Sequence, residues 1–104
     1  MPAAFFVVRA TVADPARRAA FDRWYETEHV PGAVKAFGVS EAWRFWSLDD
    51  PALHQAMYQF DDEAKLAAML QGDVLKQLVA DFDRDWPDVK RSRETLVLAQ
   101  EFAK

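Results

Sequence analysis

The chain has no cysteine among its 104 residues, so disulfides, thiolate nucleophiles and thiolate metal sites are excluded. Three glycines leave no room for a glycine-rich phosphate loop, and a nucleotide cofactor is not expected. The two histidines, His29 and His54, fall in separate segments with no metal-ligand spacing. No metal site is expected, and haem, for which His29 would be the axial candidate, is disfavoured. The only serines are Ser40, Ser47 and Ser92, none in a nucleophile elbow. No apolar run approaches the roughly 20 residues of a membrane span. No basic, short-apolar leader opens the chain, so a cytoplasmic protein is the default. The net charge of −4 is spread over mixed signs, and no basic patch interleaved with aromatics suggests nucleic acid.

What is present is aromatic. Eight Phe and four Trp are many for one small domain spanning 1–104. They concentrate first in Phe21-Asp22-Arg23-Trp24-Tyr25-Glu26-Thr27-Glu28-His29-Val30-Pro31-Gly32. Before it, Ala3 to Val12 reads as a strand whose apolar run wants cover on both faces. Asp14-Pro15 supplies an N-cap and a first-turn proline. The helix they open should run to about His29, with Pro31 breaking it and a short turn following over Gly32 to Ala36. Phe21, Tyr25 and His29 recur at helical spacing on its apolar side.

Val39 to Leu48 reads as a second strand and His54 to Phe60 as a third, joined by the turn Asp49-Asp50-Pro51. Asp61-Asp62-Glu63 opens a second helical region, interrupted at Gly72-Asp73 and ending before Pro87. Arg91 to Phe102 alternates as a last strand. The order strand, helix, strand, strand, helix, strand predicts an α+β, ferredoxin-like βαββαβ unit, with an antiparallel sheet and both helices on one face. Two helices cover one face of four strands. The first two strands carry apolar residues on both faces, so a homodimer joined sheet to sheet is expected.

The segment Trp24-Tyr25-x-x-Glu28-His29-Val30-Pro31, the step Phe37-Gly38 and the later Trp86-Pro87-Asp88-Val89 resemble the EthD-like branch of the dimeric α/β-barrel superfamily. The element order extends that resemblance along nearly the whole chain. It implies a dimer with a pocket between helices and sheet in each subunit. Its members include cofactor-free monooxygenases, cyclases, isomerases, haem enzymes and proteins without known activity, so it implies fold more than reaction.

His29 is the first catalytic candidate, because an imidazole can give or take a proton near neutral pH. A helix-end histidine favoured by the helix dipole would read the same way. Glu28 lies about 100° round the helix from its neighbour and does not orient it. Asp22 is read as the partner of Arg18 or Arg23. Tyr58 is the second catalytic candidate; cyclases of the resembling fold pair a histidine with a strand tyrosine, and a buried structural tyrosine is the alternative. His54 shares its face but sits near the turn and should be exposed. Trp24 and Tyr25 are expected to shape a substrate pocket. Trp43 and Arg44 lie on opposite faces of the second strand. One should meet the pocket and the other the dimer interface, and both stand as binding candidates because alternation does not choose. The reading that follows is a small enzyme needing no cofactor, moving a proton on a hydrophobic aromatic or polyketide-like molecule. The alternative is a dimeric module that binds an apolar metabolite without changing it.

Overall fold

The computed structural model describes residues 2–103. Strand β1 (Ala4–Thr11) is followed by a 3-10 turn (Pro15–Arg17), α1 (Arg18–Trp24), a π turn (Tyr25–His29) and α2 (Val30–Phe37). Then come β2 (Ala42–Trp46), β3 (Leu53–Phe60), α3 (Glu63–Leu70), α4 (Asp73–Asp85) and β4 (Lys90–Val97). The four strands form one antiparallel sheet in the order β2-β3-β1-β4. This is the expected ferredoxin-like arrangement, with β2 and β4 at the edges.

Alternation along β1 and β3 sorts the sheet into two faces. Ala4, Phe6 and Ala10, with Ala56, Tyr58 and Phe60, join Phe21, Tyr25, Leu66, Leu75, Phe82 and Trp86 from the helices in one buried core. The opposite face has no helix on it. In register it presents Phe5 beside Leu96 and Val7 between Met57 and Glu94, with Trp43 beyond Met57. Phe45 there is 46% exposed, and Phe5 packs 6.4 Å from Trp43. Arg9 interrupts this apolar surface, bonded to Gln55 and Glu94 at 3.1 Å each.

The first helical region differs from expectation at its end. Asp14 caps it as foreseen, accepting from the Ala16 amide at 3.0 Å, with Pro15 following. Pro31, however, does not stop it. The Val30 amide reaches back five residues to the Tyr25 carbonyl, and the widened turn lets the helix run on to Phe37. Proline has no amide to donate and crowds the carbonyl four residues earlier, so an extra residue in the turn relieves both problems. Thr27 Oγ1 donates to the Arg23 carbonyl at 2.8 Å and satisfies a group of the same region. Gly38 then ends α2 at φ 69°, a left-handed conformation that glycine adopts without strain.

The last strand is shorter than the expected Arg91 to Phe102. Leu98 still donates to the Ala3 carbonyl at 2.8 Å, but β1 begins at Ala4 and Pro2 offers no amide beyond it. Residues 98–103 lie outside the sheet, and Phe102 is 82% exposed. Among the described residues, no helix is long and apolar enough to cross a membrane.

Candidate functional site

A cavity of about 290 Å³ lies between the helix-side face of the sheet and the helices. That is near the lower end of the range for small-molecule sites. Phe6 and Val8 of β1 and Tyr58 of β3 form its floor. Tyr25, His29, Ala33 and Phe37 close one side, from the π turn and α2; Leu75, Leu78, Val79 and Phe82 of α4 close another. Arg91, Ser92 and Arg93 of the edge strand β4 line the remaining side.

His29 is placed by the π turn. Its ring stacks on Trp24 at 4.5 Å with planes 20° apart, and meets Tyr25 edge-on at 4.9 Å and Phe82 at 5.9 Å. Burial, reinforced by the positive charge of Arg91, pushes its pKa down to about 4. The imidazole is therefore neutral at pH 7 and can accept a proton.

Tyr25 and Tyr58 are both nearly inaccessible to bulk solvent. Burial pushes both phenols above their ordinary range, so they stay protonated and can act as hydrogen-bond donors. Neither hydroxyl, nor the His29 ring, has a hydrogen-bond partner among the described residues. Polar side chains that line a cavity and lack protein partners are available to a ligand.

Behind Tyr25 lies a polar cluster. Asp22 Oδ1 accepts from Trp46 Nε1 at 2.8 Å and from Arg44 Nη1 at 3.0 Å. The Trp46 hydrogen bond is the main reason the Asp22 pKa is held down. Arg44 Nη1 also lies 3.2 Å from His54 Nε2. A guanidinium only donates, so Nε2 accepts and the proton of a neutral His54 sits on Nδ1. That Nδ1 is buried with no partner among the described residues. His54 packs against Tyr25 at 4.4 Å, Trp46 at 5.0 Å and Phe21 at 5.4 Å. Burial first, and the Arg44 charge second, push its pKa down to about 4.

The structure thus brings His29, Tyr25 and Tyr58 to one cavity. Trp24 backs His29 and donates to Asp85 at 3.1 Å rather than lining the cavity. Arg44 is on the helix side but is held by Asp22 and His54 outside the lining. Trp43 faces away, on the open side of the sheet, because alternation sends it opposite to Arg44. It is not part of this cavity. His54, expected near the rim, is 0% exposed, since β2 and α1 cover the end of β3. Asp22 pairs with Arg44, not with Arg18 or Arg23; Arg18 instead donates to the Val12 carbonyl at 3.0 Å. Glu28 is exposed.

Sequence reading missed Arg91 and Arg93. The signal was there: two arginines two apart in a strand share a face, and register places them beside Ala10 and Val8 on the inner side. Among the described residues, no group of three or more His, Asp or Glu side chains could hold a metal ion.

Comparison with solved structures shows the fold. Over 100% of both chains, the molecule matches SnoaB, a cofactor-independent oxygenase from Streptomyces nogalater, with a TM-score of 0.68 and 15% identity. An EthD family protein from Bacillus halodurans matches with a TM-score of 0.62 and 18% identity, over 86% of this chain and 96% of that one. A dimeric ferredoxin-like protein from an uncultured marine organism matches with a TM-score of 0.72 and 10% identity, over 100% of this chain and 94% of that one. No protein-family model matches the sequence, and no curated protein sequence matches it significantly. The chain has the ferredoxin-like α+β fold of these proteins, and at these identities the likeness is one of fold alone.

Proposed function

We propose that this protein is a small proton-transfer enzyme that needs no cofactor and acts on an apolar aromatic or polyketide-like molecule. One observation carries the reading: His29, Tyr25 and Tyr58, whose polar atoms have no partner among the described residues, line one cavity of about 290 Å³ in which the other polar residues are Arg91, Ser92 and Arg93. The similarity to a cofactor-independent oxygenase supports it.

The chemistry follows from the environment. Neutral His29 removes a proton from an enolisable carbon or a phenol. Its low pKa makes it a weak base in isolation, but the reaction creates an anion beside the imidazolium it forms. In a partly buried site that pair attracts more strongly than in water, so the burial that lowers the pKa also stabilises the product of proton transfer. Tyr58, kept protonated, donates to the oxygen on which charge develops, and Tyr25 lies beside His29 to do the same.

The working unit is a homodimer. The uncovered sheet face, with Phe5, Trp43, Phe45 and Leu96, supports this, as does the similarity to proteins described as dimeric and ferredoxin-like. A sheet-to-sheet contact leaves the helix-side cavity of each subunit open at its β4 edge.

The test is exchange of the α-protons of 2-tetralone into D2O, followed by NMR. The wild-type protein is expected to accelerate exchange over buffer, and His29→Ala to abolish the acceleration with the fold retained. Equal rates in the two proteins refute the mechanism. A second reading, a binding module, is favoured by one fact: no carboxylate fixes the His29 tautomer among the described residues. Binding of 2-tetralone with no exchange would select it.

A further inference from the structure

Apart from His29, Tyr25 and Tyr58, the polar residues of the cavity lie on one side. Among the described residues no Asp or Glu lines the cavity, while Arg91 and Arg93 flank Ser92 along its β4 side. The two arginines differ in how they are held. Arg91 Nη2 donates to Asp83 at 2.6 Å, and its guanidinium lies 4.1 Å from the centre of the Phe82 ring. It is fixed, and it lines the cavity together with His29. Arg93 is exposed and engages neither a carboxylate nor any other hydrogen-bond acceptor among the described residues. Arg9, Arg17 and Arg84 pair with Glu94, Asp88 and Asp81; Arg23 is likewise exposed and unpaired among the described residues, and what sets Arg93 apart is its place in the cavity lining.

A guanidinium presents paired N–H groups that match a carboxylate. A free one on the inner face of an edge strand, beside Val8, sits where a ligand leaving the apolar interior would meet it. Arg91 is offset by Asp83, so it is chiefly the positive charge of Arg93 that favours an anionic group at that place.

Building on the enzymatic reading above, we infer that the ligand is an aromatic carboxylate, its ring system held between Phe6, Tyr58, Leu78 and Phe82 and its carboxylate on Arg93 at the β4 edge. The ring supplies burial and Arg93 the selection for charge. Because Arg93 is exposed, the selection weakens as salt is raised.

The test compares 2-naphthoate with the neutral, similarly shaped 2-naphthamide by calorimetry at low ionic strength. Four proteins are used: wild type, Arg93→Glu, Arg23→Glu and Leu78→Trp. Arg23→Glu makes the same charge change at an exposed site on α1 outside the cavity. Wild type should bind the acid about tenfold more tightly than the amide, the worth of one charge-assisted hydrogen bond. Arg93→Glu should abolish that preference and leave amide binding in place. Arg23→Glu should keep the preference, and Leu78→Trp should weaken both ligands by filling the cavity. If the amide binds and Leu78→Trp blocks it, but Arg93→Glu leaves the ratio unchanged, the anion site is refuted and the cavity reading survives. If neither compound binds the wild type, or binding ignores Leu78→Trp, both readings fall.

Discussion

Acid should unfold this protein through its histidines before its carboxylates titrate. His54 is 0% exposed and held neutral, with its pKa pushed from 6.5 down to about 4. In the unfolded chain it titrates near 6.5, so between pH 6.5 and 4 the unfolded state binds more protons than the folded one. Stability therefore falls as pH falls through that window, by at most about 1.4 kcal/mol per pH unit for each such group. The drop of His54 alone is worth about 3 kcal/mol, and His29, with a similar shift, contributes a comparable amount. The groups facing His54 do not reverse the sign. Arg44 stays charged throughout, and Asp22, held below its ordinary value by Trp46, stays ionised until the window is passed. The assay is urea unfolding followed by tryptophan fluorescence from pH 8 to 4.5 at fixed protein concentration, since a dimer's midpoint depends on it. His54→Gln keeps an acceptor for Arg44 and removes the titration. It should flatten the profile by about half, and His29→Gln with it should remove most of the remainder. Parallel profiles for wild type and His54→Gln would refute the argument. So would a direct NMR titration of the His54 ring giving a pKa near 6.5, a readout that does not need the variant to fold.

Tyr58→Phe deletes a hydroxyl that has no protein partner among the described residues. It should leave the unfolding midpoint unchanged while slowing tetralone exchange by about 10²–10³-fold, the usual worth of one preorganised donor; undiminished exchange would remove Tyr58 from the mechanism. Trp43→Glu places a charge on the uncovered sheet face beside Phe5 and should give a monomeric mass by light scattering at micromolar concentration. A wild type that is already monomeric there would end the dimer proposal. Phe21 is 0% exposed and meets Trp24, Tyr25, Trp46, His54, Phe82 and Trp86 within 6.3 Å. Phe21→Ala should cost about 3–5 kcal/mol in denaturant unfolding.

The element order and the two sheet faces were legible in the sequence because strand alternation is a local property. The parity that grouped His54, Ala56, Tyr58 and Phe60 is the parity observed. Which face of β2 met the helices was not legible. Both faces of β2 carry aromatics, and the choice rests on Asp22, 22 residues earlier, pulling Arg44 and Trp46 to its own side. His54 was misjudged for a related reason. Proximity to a turn suggests exposure, but the ring is covered by α1 and β2, a tertiary fact. Arg91 and Arg93 were passed over as the start of a strand, though their spacing alone put them on one face.

The segment from Trp24 to Pro31 shows how one local irregularity positions a site. In an unbroken α-helix, residues five apart lie about 140° apart around the axis. Trp24 and His29 are five apart, yet their rings stack at 4.5 Å. That contact depends on the π turn, whose Val30-to-Tyr25 bond inserts one residue into the spacing. Proline at position 31 favours the turn, because an amide-less residue sits poorly in a regular register. A helix ended at Pro31 would lose Ala33 and Phe37, which close the cavity. A helix continued without the π turn would lose the stacking that holds the His29 ring. The residue that looks like a stop signal in the sequence therefore keeps the helix running while turning its histidine toward the cavity.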